Sequence, residues 1–504
     1  MAEQMRDRPR VGPGRTLGWI ADHLGVPAGV PADPALPVAG IALGSSDVRP
    51  GDLFVALAGE RSHGADHLDA AVAAGAVALL TDEQGAVTAA GRLPALVVPE
   101  PRGVLGRLAS AFYGDPSAAF TTVGVTGTQG KTTTTYLAEA AAGQPAAVVG
   151  TIGTRIAGQP VASALTTPEA PRLQSLFAVM REEGVRTCAM EVSSHALVQR
   201  RVDGFVFDAA IFLNLGRDHL DFHRDLEDYY AAKARLLTPD HARLGIVNID
   251  DEHGRRLAAE APVPVTTFST EGHPADWRAV NIRAHRLGSQ ADLVTPDGRT
   301  VPVSVPLPGA FNVSNAVAVL VALAEATGRD LADLAAGLAN APGVPGRMER
   351  VEAGQDFTVV VDYAHKPDAI TAVLRALRPV TPGRLVIVLG AGGDRDIGKR
   401  PLMGAAAAGL ADMVVVTDDN PRSEDPALVR QAVLAGALGH AADVVEIGDR
   451  AEAIAHAIGL AGRGDTVVIA GKGHETGQDI DGVVHPFDDR EVARGVLGEA
   501  RGRA

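Results

Sequence analysis

The stretch VGVTGTQGKTTTTYL, residues 123–137, constrains this chain more than any other part of it. An apolar run meets two glycines, a lysine and a row of threonines, then continues into helix-forming residues. A strand ending in such a turn aims a helix N-terminus and several backbone N–H groups at one small volume, which is the geometry of a phosphate cradle. The candidate phosphate-binding residues are Gly127, Thr128, Gln129, Gly130, Lys131, Thr132 and Thr133. The glycines admit close approach, Lys131 neutralises β/γ oxygens, and the Thr132 hydroxyl is placed to ligate Mg²⁺. A full Walker A loop would carry glycine five residues before Gly130, where Val125 stands, so this is a shorter form.

Strand, loop and helix in that order place the chain in the α/β class, and the length implies about three domains at roughly 150 residues each. Residues 1–15 are polar with Pro and Gly and read as a disordered tail. Residues 16–112 alternate short apolar runs (DLFVALAG, VALLTD, PALVVPE) with Ala-rich helical stretches, a small N-terminal α/β domain. Residues 113–343 form a central P-loop-type domain, with RTCAMEV, DAAIFLN and LGIVNID as further strands of a parallel sheet. Residues 344–504 are a Rossmann-like C-terminal domain. Its strands FTVVVDYAH, RLVIVLGAGG, MVVVTDDNPR and TVVIAGKGHE each end in polar, Gly-bearing residues. Ligands bind beyond the carboxyl ends of such strands, so these endings are expected to line one site.

The charge of −15, from 46 basic and 61 acidic residues, argues against a nucleic-acid backbone as partner. The single cysteine, Cys188, excludes an internal disulfide and a Cys-rich zinc site, and fits a reducing compartment. MAEQMRDRPR has no apolar run behind it, and no stretch reads as long and apolar enough to cross a bilayer. A cytoplasmic protein without membrane insertion is expected. Only five of the 46 basic residues are lysine: Lys131, Lys233, Lys366, Lys399 and Lys472. A coding bias toward arginine explains the scarcity, and makes these five candidates for places where a planar, permanently charged fork would fail.

The short phosphate loop resembles that of the Mur ligases and their relatives, the folylpolyglutamate synthases. The resemblance runs along nearly the whole chain, through RPGDLFVALAG, LTTPE, MEVSSHALVQRRV, NLGRDHLDFH, YYAAKARLL, GAFNVSNAVA, PGRMERV, VDYAHKPDA, GAGGDRDIGKRPLMG, TDDNPR and GKGHET. It implies an ATP-dependent ligase of peptidoglycan precursor synthesis, acting as a monomer. The substrates implied are UDP-N-acetylmuramoyl-L-alanyl-D-glutamate, activated as an acyl-phosphate on its D-glutamate side chain, and a diaminopimelate. ATP and Mg²⁺ are the implied cofactors. An L-lysine-adding relative and a catalytically inactive nucleotide-binding scaffold are the alternatives.

By this resemblance Glu191, His219 and Thr132 are metal ligands, with Lys233 as an N6-carboxylated lysine. Lys131, Lys233, His219 and Glu191 are then the catalytic set. Asn214 and Asp218 are supporting residues or turn formers. Asn312, Asn315, Arg347 and Asp362 match ATP contacts, although Asn and Asp also cap helices. Leu43, Ser45, Glu60, Arg61 and Ser62 match uridine contacts, with Gly44-Ser45-Ser46 where Asp-Ser-Arg is frequent. Thr166, Thr167, Ser193, Gln199 and Arg201 match contacts to the muramoyl peptide, with Leu165 in place of an Asn; Gln129 also stands where Asn is common. Arg395, Asp419, Asn420, Pro421, Arg422, Gly471 and Glu475 match the amino-acid site. Arg422 in DNPR favours a diaminopimelate, because guanidinium forks hold its far carboxylate and repel the bare ammonium of lysine.

Overall fold

The computed structural model describes residues 6–27, 33–59, 62–163, 165–219 and 221–502. The chain divides into two compact units. One holds the residues up to Phe268 with Ala318–Leu334; the other holds Ser269–Val317 with the residues from Ala335 onward.

In the first unit, strands Gly40–Ala42, Asp52–Val55, Ala78–Thr81 and Ala95–Val97 form a parallel sheet in that order. The run Asp-Leu-Phe-Val is buried at every position because its alternate side chains feed two cores. Leu53 and Val55 join Ile20, Leu80, Leu105 and Phe112, while Phe54 joins Leu68, Ala71 and Leu79. A parallel strand covered on both faces reads in sequence as an unbroken apolar run.

The described part of the segment 1–15 is not the loose tail that its composition suggests. Arg8 donates to both oxygens of the fully buried Asp52, at 2.7 and 2.6 Å. Asp7 meets Arg49 and Arg172, and Arg6 pairs with Glu182 and Glu183. Polar composition conceals this order because ion pairs rather than apolar side chains hold the segment.

The central sheet runs Ala146–Gly150, Thr187–Glu191, Thr121–Thr126, Ala209–Phe212, Gly245–Asn248 and Val265–Ser269, all parallel, with the antiparallel strands Gly153–Ile156 and Gln159–Val161 at one edge. The chain leaves Thr121–Thr126 toward one side for four strands, then resumes on its other side at Ala209–Phe212. This reversal opens a crevice at the carboxyl end of Thr121–Thr126, where the phosphate loop begins.

In the second unit, Trp277–His285, Gly288–Val294 and Thr300–Val305 form an antiparallel meander. The C-terminal sheet orders Glu349–Arg350, Thr358–Asp362, Thr466–Ala470, Leu385–Leu389, Met413–Val416 and Asp443–Glu446, parallel except for the first pair. Val361, Val388, Val415 and Ile469 pack with Ile454, Ile458 and Leu497 on one face.

The helix Ala310–Thr327 corrects one expectation, because by length and composition it could cross a membrane. Val313 and residues 316–323 are at most 1% exposed. A helix apolar all round is what a buried core position requires.

Candidate active site

The phosphate loop is built by backbone conformation first. Gly127 and Gly130 hold φ of 153° and 89°, a region open to glycine and strained for other residues. Gly130 precedes the first turn of helix Lys131–Ala142. Asn214, at the end of the neighbouring strand, staples the loop: its Oδ1 accepts from Thr128 N at 3.1 Å and Gln129 N at 3.0 Å, and its Nδ2 donates to Gln129 O at 3.3 Å. Asn214 thus fixes the backbone of Thr128 and Gln129.

Two lysines meet at this loop. Lys131 Nζ donates to Gly127 O at 2.8 Å and Thr128 O at 3.2 Å, and Lys233 Nζ donates to the same Gly127 O at 2.9 Å. Lys233, on helix Leu226–Ala234, is 1% exposed, and its ammonium lies 4.5 Å from the centre of the Tyr229 ring. Tyr229 also reaches Thr128 Oγ1 at 3.3 Å and sits 6.1 Å, ring to ring, from His219. Burial pushes its phenol above the usual range. Tyr229 thus ties loop, Lys233 and His219 together, a role the sequence reading missed although DYYAAK carries it.

Glu191 ends its strand fully buried, accepting from Thr151 N at 2.8 Å and Thr151 Oγ1 at 3.1 Å. Its space exists because residue 150 is glycine: a Cβ there would lie 2.3 Å from Glu191 Oε1. His219 adopts a left-handed φ of 52°, with Nε2 3.2 Å from Asp218 Oδ2 and its side chain 43% exposed. His195 stacks on Phe222 at 3.9 Å and stands edge-on to His219 at 4.9 Å. Glu191 and Thr132 carry the carboxylate and hydroxyl oxygens that a hard divalent cation prefers.

The predicted peptide contacts form one network. Thr151 Oγ1 lies 3.1 Å from Thr166 Oγ1, and Thr167 Oγ1 donates to Glu191 O at 2.8 Å and accepts from Ser193 N at 3.2 Å. Arg201 donates to Thr167 O at 3.1 Å and Gln199 Oε1 at 2.6 Å, and pairs with Glu169 at 2.9 Å. Ser193 Oγ also caps the helix Ser194–Val198. Thr151 and Glu169 belong to this network without having been singled out; Glu169 lies in LTTPE, whereas Thr151 carries no motif.

The predicted uridine contacts are less united. Leu43 lines a cavity of about 600 Å³ together with Asp7, Arg8, Arg49, Leu165, Glu169 and Arg172. Ser45 and Ser62 do not line it, and Glu60 and Arg61 lie outside the described residues.

In the second unit, Asn312 Nδ2 donates to Pro308 O at 2.8 Å, and Asn315 Nδ2 approaches Asn312 Oδ1 at 3.4 Å. Arg347 stacks on Tyr363 at 4.2 Å. Asp362 accepts from Met348 N at 2.7 Å and Ala364 N at 2.8 Å, and burial pushes its carboxyl above the usual range despite Arg347 nearby.

The strand ends carrying DNPR and GKGHE converge. Asn420 Oδ1 accepts from Lys472 Nζ at 2.9 Å and Asp479 N at 3.0 Å, while its Nδ2 donates to Glu475 Oε2 at 3.0 Å. Gly471, at φ 117°, leaves room for Asp419, whose Oδ2 would sit 2.4 Å from a Cβ there. Arg422 holds φ 53° between backbone bonds to Asp479 O and from Asp481 N, and donates to Gly393 O at 2.5 Å. A Cβ on Gly392 would lie 3.0 Å from Arg422 Nη1 and 4.0 Å from Arg395 Cγ, so the two arginines flank one glycine. Beneath both loops Arg450, fully buried, donates to Asp418 O at 3.3 Å, Ala470 O at 3.0 Å and both oxygens of Asp489 at 2.7 Å.

One unit holds the phosphate loop with Lys131, Lys233 and Tyr229, and the network around Glu191; the other holds an Arg/Asn/Glu cluster at the DNPR and GKGHE strand ends. Sequence models of the Mur ligase family, catalytic domain, the Mur ligase middle domain and the Mur ligase, glutamate ligase domain match residues 37–113, 125–323 and 346–473. The UDP-N-acetylmuramoyl-L-alanyl-D-glutamate–2,6-diaminopimelate ligase of Streptomyces coelicolor is 53% identical over 96% of this chain and 97% of its own. That of Corynebacterium glutamicum is 49% identical over 94% of each chain. A solved structure of a ligase of the same name superposes with a TM-score of 0.69 at 35% identity, over 96% of this chain and 99% of the other. The MurF ligase from Thermotoga maritima in complex with ADP shares the fold, with a TM-score of 0.63 at 21% identity over 93% and 99%. The chain belongs to the Mur ligase family.

Proposed function

We propose that this chain is the ATP-dependent ligase that joins a 2,6-diaminopimelate to UDP-N-acetylmuramoyl-L-alanyl-D-glutamate. Relatives of that name, about half identical over nearly the full chain, support the substrate pair. The observation that carries the chemistry is the meeting of Lys131 and Lys233 at the Gly127 carbonyl of the phosphate loop.

A D-glutamate side-chain carboxylate oxygen attacks the γ-phosphorus of ATP, and ADP leaves. The amine of the incoming amino acid then attacks the acyl-phosphate carbon, and inorganic phosphate departs as the amide forms. Both steps gather negative charge on phosphoryl oxygens, so positioned cations and backbone N–H groups supply the catalysis. Lys131 and the loop N–H groups hold the β/γ-phosphates. Thr132, Glu191 and His219 would hold Mg²⁺, which neutralises phosphate charge when bound. Lys233, buried and in contact with the loop, is the amine that carbon dioxide converts to a carbamate, a reaction closed to arginine. Thr166, Thr167, Ser193, Gln199 and Arg201 receive the muramoyl peptide, and Leu43, Ser45 and Ser62 belong to the uridine end.

Asn312, Asn315, Arg347 and Asp362 serve the nucleotide. Arg395 and Arg422 hold the far carboxylate of the diaminopimelate, with Asp419, Asn420, Pro421, Gly471 and Glu475 around its other groups. An L-lysine substrate offers those arginines no carboxylate. The buried Cys188, whose thiol burial pushes up to about 12, is unreactive and fits a cytoplasmic enzyme. The carbamate is tested by equilibrating the protein with ¹³C-labelled bicarbonate. A carbamate resonance in wild type that Lys233→Arg lacks is expected; the same spectrum from both would remove Lys233 from this role.

A further inference from the structure

Lys472 is one of the five lysines, and neither the phosphate chemistry nor the carbamate uses it. Its side chain is 0% exposed just beyond strand Thr466–Ala470. The ammonium donates to Asn420 Oδ1 at 2.9 Å and Glu475 Oε2 at 3.3 Å. A buried ammonium is tolerated only where such acceptors surround it.

This contact decides how two neighbouring groups face. An Asn amide can present its oxygen or its nitrogen in either direction. With Lys472 Nζ and Asp479 N both donating to Oδ1, the Asn420 amide must turn Nδ2 toward Glu475, where it donates to Oε2 at 3.0 Å. Glu475 Oε2 therefore receives two donors, and the carboxylate keeps acceptor capacity for an incoming ammonium. The compact charge of lysine fits between two oxygens in a fully buried pocket, whereas an arginine fork needs more room and more acceptors.

We propose that Lys472 is a positioning residue for the incoming amino acid. It acts through Asn420 and Glu475, fixing the amide and the carboxylate in the orientation that receives the substrate's ammonium group. This rests on the amino-acid role proposed above for Asn420 and Glu475. Lys472 itself touches no reacting atom.

The test is Lys472→Met in the full-length enzyme, which keeps an unbranched chain and removes the donor. Phosphate release is measured while ATP, the nucleotide peptide and meso-diaminopimelate are varied in turn. The KM for diaminopimelate is expected to rise about tenfold, the worth of one charge-assisted hydrogen bond, with the other two KM values unchanged. In a cycle with Asn420→Ala, the double variant should lose little more than either single one. Should Lys472→Met not fold, Lys472→Gln, whose amide keeps N–H donors but no charge, is expected to raise the KM for diaminopimelate alone, by less than tenfold. An unchanged KM for diaminopimelate, additive losses, or an equal rise in all three KM values would overturn the proposal. Wild-type enzyme that turns over no diaminopimelate would overturn the functional reading beneath it.

Discussion

Lys131 and Lys233, on different helices, donate to one acceptor, the Gly127 carbonyl oxygen, at 2.8 and 2.9 Å. The first residue of the loop thereby gathers the lysine proposed to bind phosphate and the lysine proposed to carry carbon dioxide. Lys131→Met should lower kcat by about 10²–10³-fold, as the loss of a preorganised cation does. Lys233→Arg, which keeps the charge, should abolish turnover. ATP-dependent phosphate release measures both, and wild-type activity in Lys233→Arg would detach that residue from the chemistry.

Gly150 makes room for Glu191, since a Cβ would come within 2.3 Å of Glu191 Oε1. Gly150→Ala should cost about 1–3 kcal/mol of stability through overpacking. It should also raise the Mg²⁺ concentration needed for half-maximal rate, because the displaced carboxylate is a proposed ligand. Urea unfolding and a Mg²⁺ titration separate the two effects.

Arg450 and Asp489 form a fully buried pair under the DNPR and GKGHE loops. Asp489→Ala leaves a buried guanidinium without its carboxylate, and should destabilise the protein by about 3–5 kcal/mol. Chemical denaturation should show a shift of the C-terminal transition.

Burial, with Lys366 and Lys399 nearby, lowers His365 to about 4; burial, with Arg347 and Arg490 nearby, lowers His474 to about 4. The ordinary value is near 6.5, so between about 4 and 6.5 the unfolded chain binds more protons than the folded one. Stability from these histidines is present above pH ~6.5 and falls as pH drops toward 4. Asp362, raised by burial, works in the opposite sense. The test is therefore the comparison with His365→Asn, whose stability should fall less steeply between pH 7 and 5 than that of wild type.

The α/β class, the phosphate loop and the strand-end motifs could be read from sequence because each is local. A strand, two glycines and a helix N-terminus occupy fewer than twenty residues, and parallel strands buried on both faces are unbroken apolar runs. Contacts between distant residues were not readable in this way. Thr151 reaches Glu191 from the turn after strand Ala146–Gly150 with no motif around it, and Tyr229 joins Thr128 to His219 only after the sheet forms. The segment at Asp7 and Arg8 looked loose because its partners, Asp52 and Arg172, lie far along the chain. In helix Ala310–Thr327 the GAFNVSNAVA motif was legible, but the run 316–324 behind it is unbroken apolar sequence, and periodicity alone does not tell a core helix from a membrane span.

The central claim is tested most directly by phosphate release from ATP with Mg²⁺ and UDP-N-acetylmuramoyl-L-alanyl-D-glutamate, comparing meso-diaminopimelate, LL-diaminopimelate and L-lysine. The account predicts turnover with a diaminopimelate, none with lysine, and loss of that preference in Arg422→Ala. Equal turnover with lysine, or no release with any of the three from folded protein that binds ATP, would contradict it.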